Sequence, residues 1–352
     1  MPHNKLRIFV TTDAPIMKKR IVWVDWAKAL CMFLVVLGHS HIQESDYFAS
    51  QFIYSFHMPF FFFISGLLCT RDISFWSIKK DLKFLILPYL TFGLTNIVWG
   101  IMRVRSFNMY SVMEQLKSLV IGDDASIGAI WFLPALFICK QLFLVIKLSL
   151  KYNRLLYYGL IILSFLPIYF ISANNYNMYF FADSALCGLP FFCMGNLLYP
   201  LISNLHLETV SRLGIAILLL SLALCLSYSN GQVVIAECSY GRSVILYYLN
   251  SVSAILAITL FCTTIERKNR FIRAASYGTI VILGFHGYIL TVFNYYLPII
   301  FGITPHGNSI PVAILYSAVA YGICYLLILK FDKYLPAPFG LKGNLEHLLS
   351  VH

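Results

Sequence analysis

Apolar residues fall into ten long runs separated by short polar stretches, near 21–40, 52–70, 84–102, 127–148, 155–172, 184–202, 213–229, 243–264, 277–297 and 309–329. About 20 apolar residues of helix cross roughly 30 Å of hydrocarbon, so each run predicts one span. The pattern reads as an all-α, polytopic membrane protein with about ten transmembrane helices. No composition shift, Gly/Ser-rich linker or fixed-period repeat divides the chain. It is read as a polar N-terminal segment (1–19), one membrane domain (20–330) and a short cytoplasmic tail (331–352).

The first run contains Asp25 and Lys28, exceeds the length of a signal-peptide core and lacks a small-residue cleavage site, so it predicts a retained span. Residues 1–16 are polar, and Met17 opens a Met-Lys-Lys-Arg run, which makes Met17 an alternative start. The connection 103–126 carries Met109, Val112, Met113, Leu116 and Leu119 at helical spacing. That stripe is about half a span long and predicts a helix lying on the membrane or lining a cavity.

Composition strengthens this picture: 59% of residues are hydrophobic, 12% are charged, and the mean hydropathy is +0.77. A soluble domain would be near half apolar. The net charge of +11 would suit a nucleic-acid binder if it were clustered. With the N-terminus inside, however, 20 of the 26 basic residues fall on cytoplasmic segments. Four (Arg103, Arg105, Lys117 and Arg242) fall outside, and Lys28 and Lys140 lie within spans. The positive-inside rule accounts for this distribution with both termini cytoplasmic, so the partner is the lipid bilayer and not nucleic acid. The nine cysteines show no metal-like spacing and lie mostly in apolar runs, which predicts free thiols and no metal site.

Asp or Lys at the centre of a span costs about 2.5–3.5 kcal/mol, so Asp25 and Lys28 require partners or a wet cavity. Three residues apart on a helix, they can pair with each other. Lys28 and His39 are eleven residues apart, about 1100° of rotation, which puts them within roughly 20° of one face and about 16 Å apart along the axis. One stripe therefore carries Asp25, Lys28, Met32, Val35 and His39. A cation near the inner leaflet and an imidazole deeper in suit a long ligand with an anionic head and a reactive tip. Coenzyme A has that shape, and imidazole can act as base toward an alcohol attacking its thioester. The alternative is that Lys28 and His39 only satisfy interior hydrogen bonds.

A second cluster, Phe56-His57-Met58-Pro59-Phe60-Phe61-Phe62-Phe63-Ile64-Ser65-Gly66, lies near the outer end of the second span. Pro59 frees a backbone carbonyl near His57, and the aromatic run reads as a lipid-facing or packing surface. Arg71, Lys80 and Lys83 stand at the cytoplasmic entrance before Pro88-Tyr89, as membrane anchors or as a phosphate site. His286, within Gly284-Phe285-His286-Gly287-Tyr288, falls in the middle of the ninth span and reads as structural or functional.

These residues resemble the acyltransferase-3 membrane proteins, and within them the fucose 4-O-acetylase-like acetyltransferases. The resemblance rests on Trp23-Val24-Asp25-Trp26-Ala27-Lys28 running on to Gly38-His39-Ser40, and on Phe56-His57-Met58-Pro59 through Ser65-Gly66. Lys80-x-x-Lys83 before Leu87-Pro88-Tyr89, Trp131-Phe132-Leu133, Pro190-Phe191-Phe192 before Gly195, and His286 follow in family order over most of residues 20–290.

The resemblance implies an O-acyltransferase that moves an acyl group, usually acetyl, from cytoplasmic acyl-CoA to a hydroxyl of a cell-envelope carbohydrate or glycolipid. It implies a place in the bacterial cytoplasmic (inner) membrane and is compatible with a homo-oligomer. His39 would be general base or transient acyl carrier, with Asp25 orienting or neutralising Lys28. Lys28, Lys80, Lys83 and Arg71 would hold the donor phosphates. His57, Ser65, Trp131 and His286 are substrate-contacting or structural candidates, and Ser40, His57 and Trp131 are candidate oxyanion donors. The family commonly has Arg where this chain has Lys28, and Arg-x-x-Arg where it has Lys80 and Lys83. Lys keeps the charge but loses the bidentate fork on phosphate. Two readings from other classes stay open: an exporter of polysaccharide or glycolipid with a proton relay through Asp, Lys and His, and a scaffold whose polar residues only pack.

Overall fold

The computed structural model describes residues 20–40, 46–69, 74–104, 108–122, 125–174, 178–301 and 309–350. Segment 1–19, with Met17, and Arg71 lie outside the described residues. All ten apolar runs are helical. The first two are α1 (Val22–Gly38) and α2 (Tyr47–Leu67). The third comprises α3 (Phe75–Asp81), a π-helical turn at Leu82–Ile86 and α4 (Leu87–Val104). The predicted helix of the following connection is α5 (Met109–Ile121), and at about 20 Å it is too short to span. The next run is α6 (Phe132–Leu148), followed by α7 (Arg154–Leu163) and α8 (Pro167–Asn174) in place of one continuous helix. Then come α9 (Ala182–Ser203), α10 (Thr209–Asn230), α11 (Val244–Thr263) and the short α12 (Arg270–Tyr277). The ninth run is α13 (Thr279–Thr291), a π turn at Val292–Tyr296 and α14 (Leu297–Phe301); α15 (Ile310–Tyr334) and α16 (Leu345–Ser350) complete the chain.

Proline explains the interruptions. Both π turns end two residues before a proline, Pro88 or Pro298, a residue type with no backbone N–H to give to the regular ladder. Pro167 likewise separates α7 from α8. Pro59 stays inside α2. The carbonyl it leaves without a helical donor is that of Ser55, and the Ser251 hydroxyl of α11 donates to it at 2.6 Å.

Among the described residues, eight helical segments are long and apolar enough to cross a bilayer, from Phe75–Arg103 to Ile310–Tyr334. Of the two remaining spans, α1 has only 17 residues and α2 carries polar residues such as Gln51 and His57 among its apolar ones, and both are wrapped by protein instead of lipid. α1 contacts α2, α11, α12, α13 and α15, while α2 contacts α1, α6, α9, α10 and α11. The Phe60–Phe63 run is fully buried, so it is packing surface and not lipid-facing. By contrast α10 buries little more than Ala216, Ala223, Ser227 and Asn230 and turns its leucines outward.

Two glycines let α2 and α9 touch backbone to backbone. A Cβ at Gly66 would lie 1.9 Å from the Phe192 carbonyl oxygen, and one at Gly195 would lie 1.9 Å from that of Phe63. Small residues at a crossing permit this approach in a bilayer, where packing and not the hydrophobic effect joins helices. The Asn196 amide reinforces the crossing by donating to the Gly66 and Cys69 carbonyls at 3.2 and 2.9 Å.

Candidate functional site

α1 is fixed at its N-terminal end by polar contacts with α12. The Arg20 Nε–H donates to both Asp25 carboxylate oxygens at 2.8 and 2.7 Å, and the Ser276 hydroxyl donates to Asp25 at 2.7 Å. Arg20 and Lys28 also donate to the carbonyls of Arg273 and Ser276, at 2.9 and 2.6 Å. A cation suits the Ser276 carbonyl, because the last carbonyls of α12 have no donors within the helix and mark the negative end of its dipole. The expected pairing of Asp25 with Lys28 is thereby corrected: the ion pair of Asp25 is with Arg20, and Ser276 stands between Asp25 and Lys28. Fourteen residues of helix, about 21 Å, separate Asp25 from His39, so the carboxylate holds the base of the stripe and touches nothing at its tip.

Along the middle of α1, from Lys28 to Val35, lies a cavity of about 130 Å³ whose lining stops one turn short of His39. Lys28, Met32 and Val35 line it from α1, as the helical arithmetic requires. Met58, Phe61 and Ser65 of α2, Phe132 and Leu136 of α6, and Ile280 and Leu283 of α13 form the other walls, with Leu85 turned in from the first π turn. The wall is apolar apart from Lys28, Ser65 and Thr279. A narrow apolar passage with a cation at one end admits an extended chain better than a bulky polar group.

At the other end of α1, His39 occupies the C-cap position and is exposed while Gly38 and Ser40 are buried. α1 ends early. A Cβ at Gly38 would meet Tyr54 at 3.2 Å and Ile53 at 3.3 Å, so His39 lies level with the eighth residue of α2, about 10 Å below that helix's start. The imidazole is thus recessed within the bundle yet open. The His286 ring lies with its centroid 5.0 Å from that of His39. The Tyr54 hydroxyl is 3.4 Å from His39 Nδ1, and the Tyr54 ring stands edge-on to His57 at 5.1 Å.

The tautomers of two of these histidines follow from their partners. A carbonyl can only accept, so Nδ1–H of His57 donates to Ile53 and Nδ1–H of His286 donates to Ile282, both at 2.8 Å. In the neutral form each then keeps its lone pair on Nε2. Sequence spacing placed His57 and His286 in separate spans; the fold brings them to one centre with His39. Among the described residues no group of three or more His, Cys, Asp or Glu is placed to hold a metal ion.

Other expected site residues fall elsewhere. Lys80 and Lys83 are exposed and neither lines the cavity; the Lys83 ammonium lies 5.7 Å from the Phe84 ring centroid. Arg71 is outside the described residues. Trp131 is packed against Phe132 and Phe181. The Ser40 hydroxyl donates to Leu37 at 2.7 Å, which commits its proton. Lys140, the second intramembrane cation, pairs with buried Asp81 at 2.5 Å, and Gln141 donates to the same carboxylate.

Four residues of these networks carried no motif signal: Tyr54, Arg20, Ser276 and Asp81. Tyr54 had one readable cue, its position three residues before His57 on one helical face.

Residues 21–329 match the acyltransferase-3 family model, described as an acyltransferase domain, and the chain belongs to that family. Nodulation protein NolL of Mesorhizobium japonicum is 32% identical to it over 145 residues. That match covers 37% of this chain and 36% of the relative, so the chain aligns with about a third of the relative's length. No solved structure matches the chain.

Proposed function

We propose that the protein transfers an acyl group, in the first place acetyl, from cytoplasmic acyl-CoA to a hydroxyl of a cell-envelope carbohydrate or glycolipid in the bacterial inner membrane. The observation that carries this reading is the cavity that follows α1 from Lys28 toward His39. The donor's phosphates stay at the basic end, where positive-inside topology puts the cytoplasm, and its pantetheine arm runs past Met32 and Val35. The thioester then reaches the histidine cluster.

His39 takes the proton of the acceptor hydroxyl as its oxygen attacks the thioester carbonyl. The C–S bond breaks, the ester forms, and the departing thiolate recovers the proton from the imidazolium. In the alternative route His39 Nε2 attacks first and carries the acyl group to the acceptor. His286 and His57, each with Nε2 available, pass or receive a proton beside it. Tyr54 orients the His39 ring through Nδ1.

Tyr54→Phe keeps the ring packing on Gly38 and removes only the hydroxyl. The expected result is a fall in kcat of about tenfold with KM for the donor unchanged, in line with the loss of one hydrogen bond made to a reacting group. An unchanged kcat removes Tyr54 from the reaction. The donor itself is tested by melting the purified protein with acetyl-CoA. Binding to the folded state alone adds about 2.7 kcal/mol at a hundredfold excess over Kd, which raises Tm by several degrees. No shift with acetyl-CoA, at any concentration up to millimolar, contradicts the donor assignment.

A further inference from the structure

Two tyrosine rings measure how the ninth span turns across its π bulge. Tyr288 of α13 and Tyr296 at the end of the π turn both stand edge-on to Trp99 of α4, with centroids 5.4 and 6.3 Å from it. They are eight residues apart, a spacing that leaves a regular α-helix about 80° out of register. The wider π turn takes up that difference and returns the later residue to the face of the earlier one. His286 and Asn294 have the same spacing across the same turn. The His286 ring lies beside that of His39, so Asn294 stands on the side of the span that faces the histidine cluster, about 12 Å farther along its axis. With both termini cytoplasmic, that direction is outward.

The Asn294 amide is left unpaired at this position. Its Oδ1 and Nδ2 are both buried, and among the described residues neither has a hydrogen-bond partner. An amide buried in this way is unfavourable, and within a span no lipid atom can satisfy it. The polar pair on the opposite face is complete by contrast, for the Tyr288 hydroxyl donates to Asn96 Oδ1. A π turn inside an α-helix is frequently a functional position, and this one carries the unpaired amide. Asn294 keeps part of its own surface exposed, so a change of rotamer presents the amide. Outward of His39 there is room, because α1 stops at Gly38 and the imidazole is exposed.

We propose that Asn294 binds the acceptor carbohydrate. The proposal rests on the acyl-transfer reading above and extends it outward. With the reacting hydroxyl at His39, the next part of the glycan lies along the ninth span, where one hydroxyl donates to Asn294 Oδ1 and its neighbour accepts from Nδ2. The distance from His286 to Asn294 exceeds one sugar ring, so the acceptor is an extended one, an oligosaccharide or a sugar carrying further groups. Bound carbohydrate then satisfies both atoms that the free protein leaves unpaired. An ordered water is the other source of the same hydrogen bonds.

The test uses membranes of the source cells, deleted for the gene and complemented with each variant, because these carry the native acceptors. Transfer is read as labelled acetyl moved from acetyl-CoA onto membrane carbohydrate and released by mild alkali. Kd for acetyl-CoA and Tm are read on the purified full-length protein. Asn294→Leu is expected to lower transfer by about tenfold or more, with KM and Kd for acetyl-CoA unchanged and Tm at or above that of wild type, since an apolar group of similar shape removes the unpaired atoms. Asn294→Ser keeps a donor and an acceptor and should retain more transfer than Asn294→Leu. Asn250→Leu is the control. That amide, on α11, is also buried with both atoms unpaired among the described residues, and its removal should leave transfer unchanged. Unchanged transfer in Asn294→Leu overturns the proposal; a higher Tm then marks a merely tolerated amide, and a lower one a structural water. Equal loss in the leucine and serine variants, or in Asn250→Leu, also overturns it, by showing that packing and not hydrogen bonding is at stake. So does a parallel weakening of acetyl-CoA binding. If His39→Ala abolishes transfer while Asn294→Leu does not, the proposal falls and the acyl-transfer reading stands. If wild type transfers no acetyl, that reading fails and the proposal with it.

Discussion

His39→Ala is expected to lower acyl transfer by about 10²–10⁴-fold, or roughly 3–5 kcal/mol of barrier, with the protein inserted and folded as wild type. Only the side chain is lost. The backbone N–H of His39 caps α1 through the Val35 and Val36 carbonyls, and alanine keeps that N–H. The imidazole is exposed and, among the described residues, its one hydrogen bond, to Tyr54, is long at 3.4 Å, so little stability depends on it. The assay is transfer of labelled acetyl from acetyl-CoA by detergent-purified protein, beside a melting curve. The same material separates the two chemical routes. Label trapped on wild-type protein by acid quench without acceptor, and missing in His39→Ala, identifies an acyl-histidine. Label that never joins the protein identifies direct transfer.

Met32→Trp is expected to lower kcat/KM for acyl-CoA at least a hundredfold without unfolding the bundle. Met32 lies between Lys28 and Val35 on the cavity wall. In a filled core the added indole would cost about 1–3 kcal/mol of overpacking. Here it enters the cavity of about 130 Å³ and displaces the donor's path, and a misplacement of about 1 Å costs about a hundredfold in such a reaction. Leu218→Trp on the outward face of α10 is the matched control and should leave both constants unchanged. Equal loss in the two variants would mean that bulk anywhere in the bundle, and not the cavity, sets the rate.

Periodicity and hydropathy made the ten spans legible because each run must satisfy its own backbone in lipid. The same period put Lys28, Met32 and Val35 on one line of the cavity, since these three lie on a single regular helix. What lay outside the sequence were pairings between elements. Asp25 has a lysine three residues on and an arginine five residues back, and spacing alone favoured the lysine; α12, arriving some 250 residues later, provides the Ser276 hydroxyl and the carbonyls that sort them. The packing of α13 against α1, which sets the His286 ring beside that of His39, could not be read from the spacing of the two residues. Tyr54 became part of the site through a glycine, because Gly38 lets its ring lie against the end of α1. The tail held little apolar signal, yet a single buried carboxylate, Asp332, organises its fold.

The central claim is that the donor lies along α1 with its thiol end at the histidine cluster. A density map of the protein with bound CoA tests it most directly. The account predicts the sulfur within about 4 Å of the His39 ring, the pantetheine chain beside Met32 and Val35, and the phosphates at the Lys28 end. CoA lying outside this cavity, or inserted with its phosphates toward His39, would contradict it.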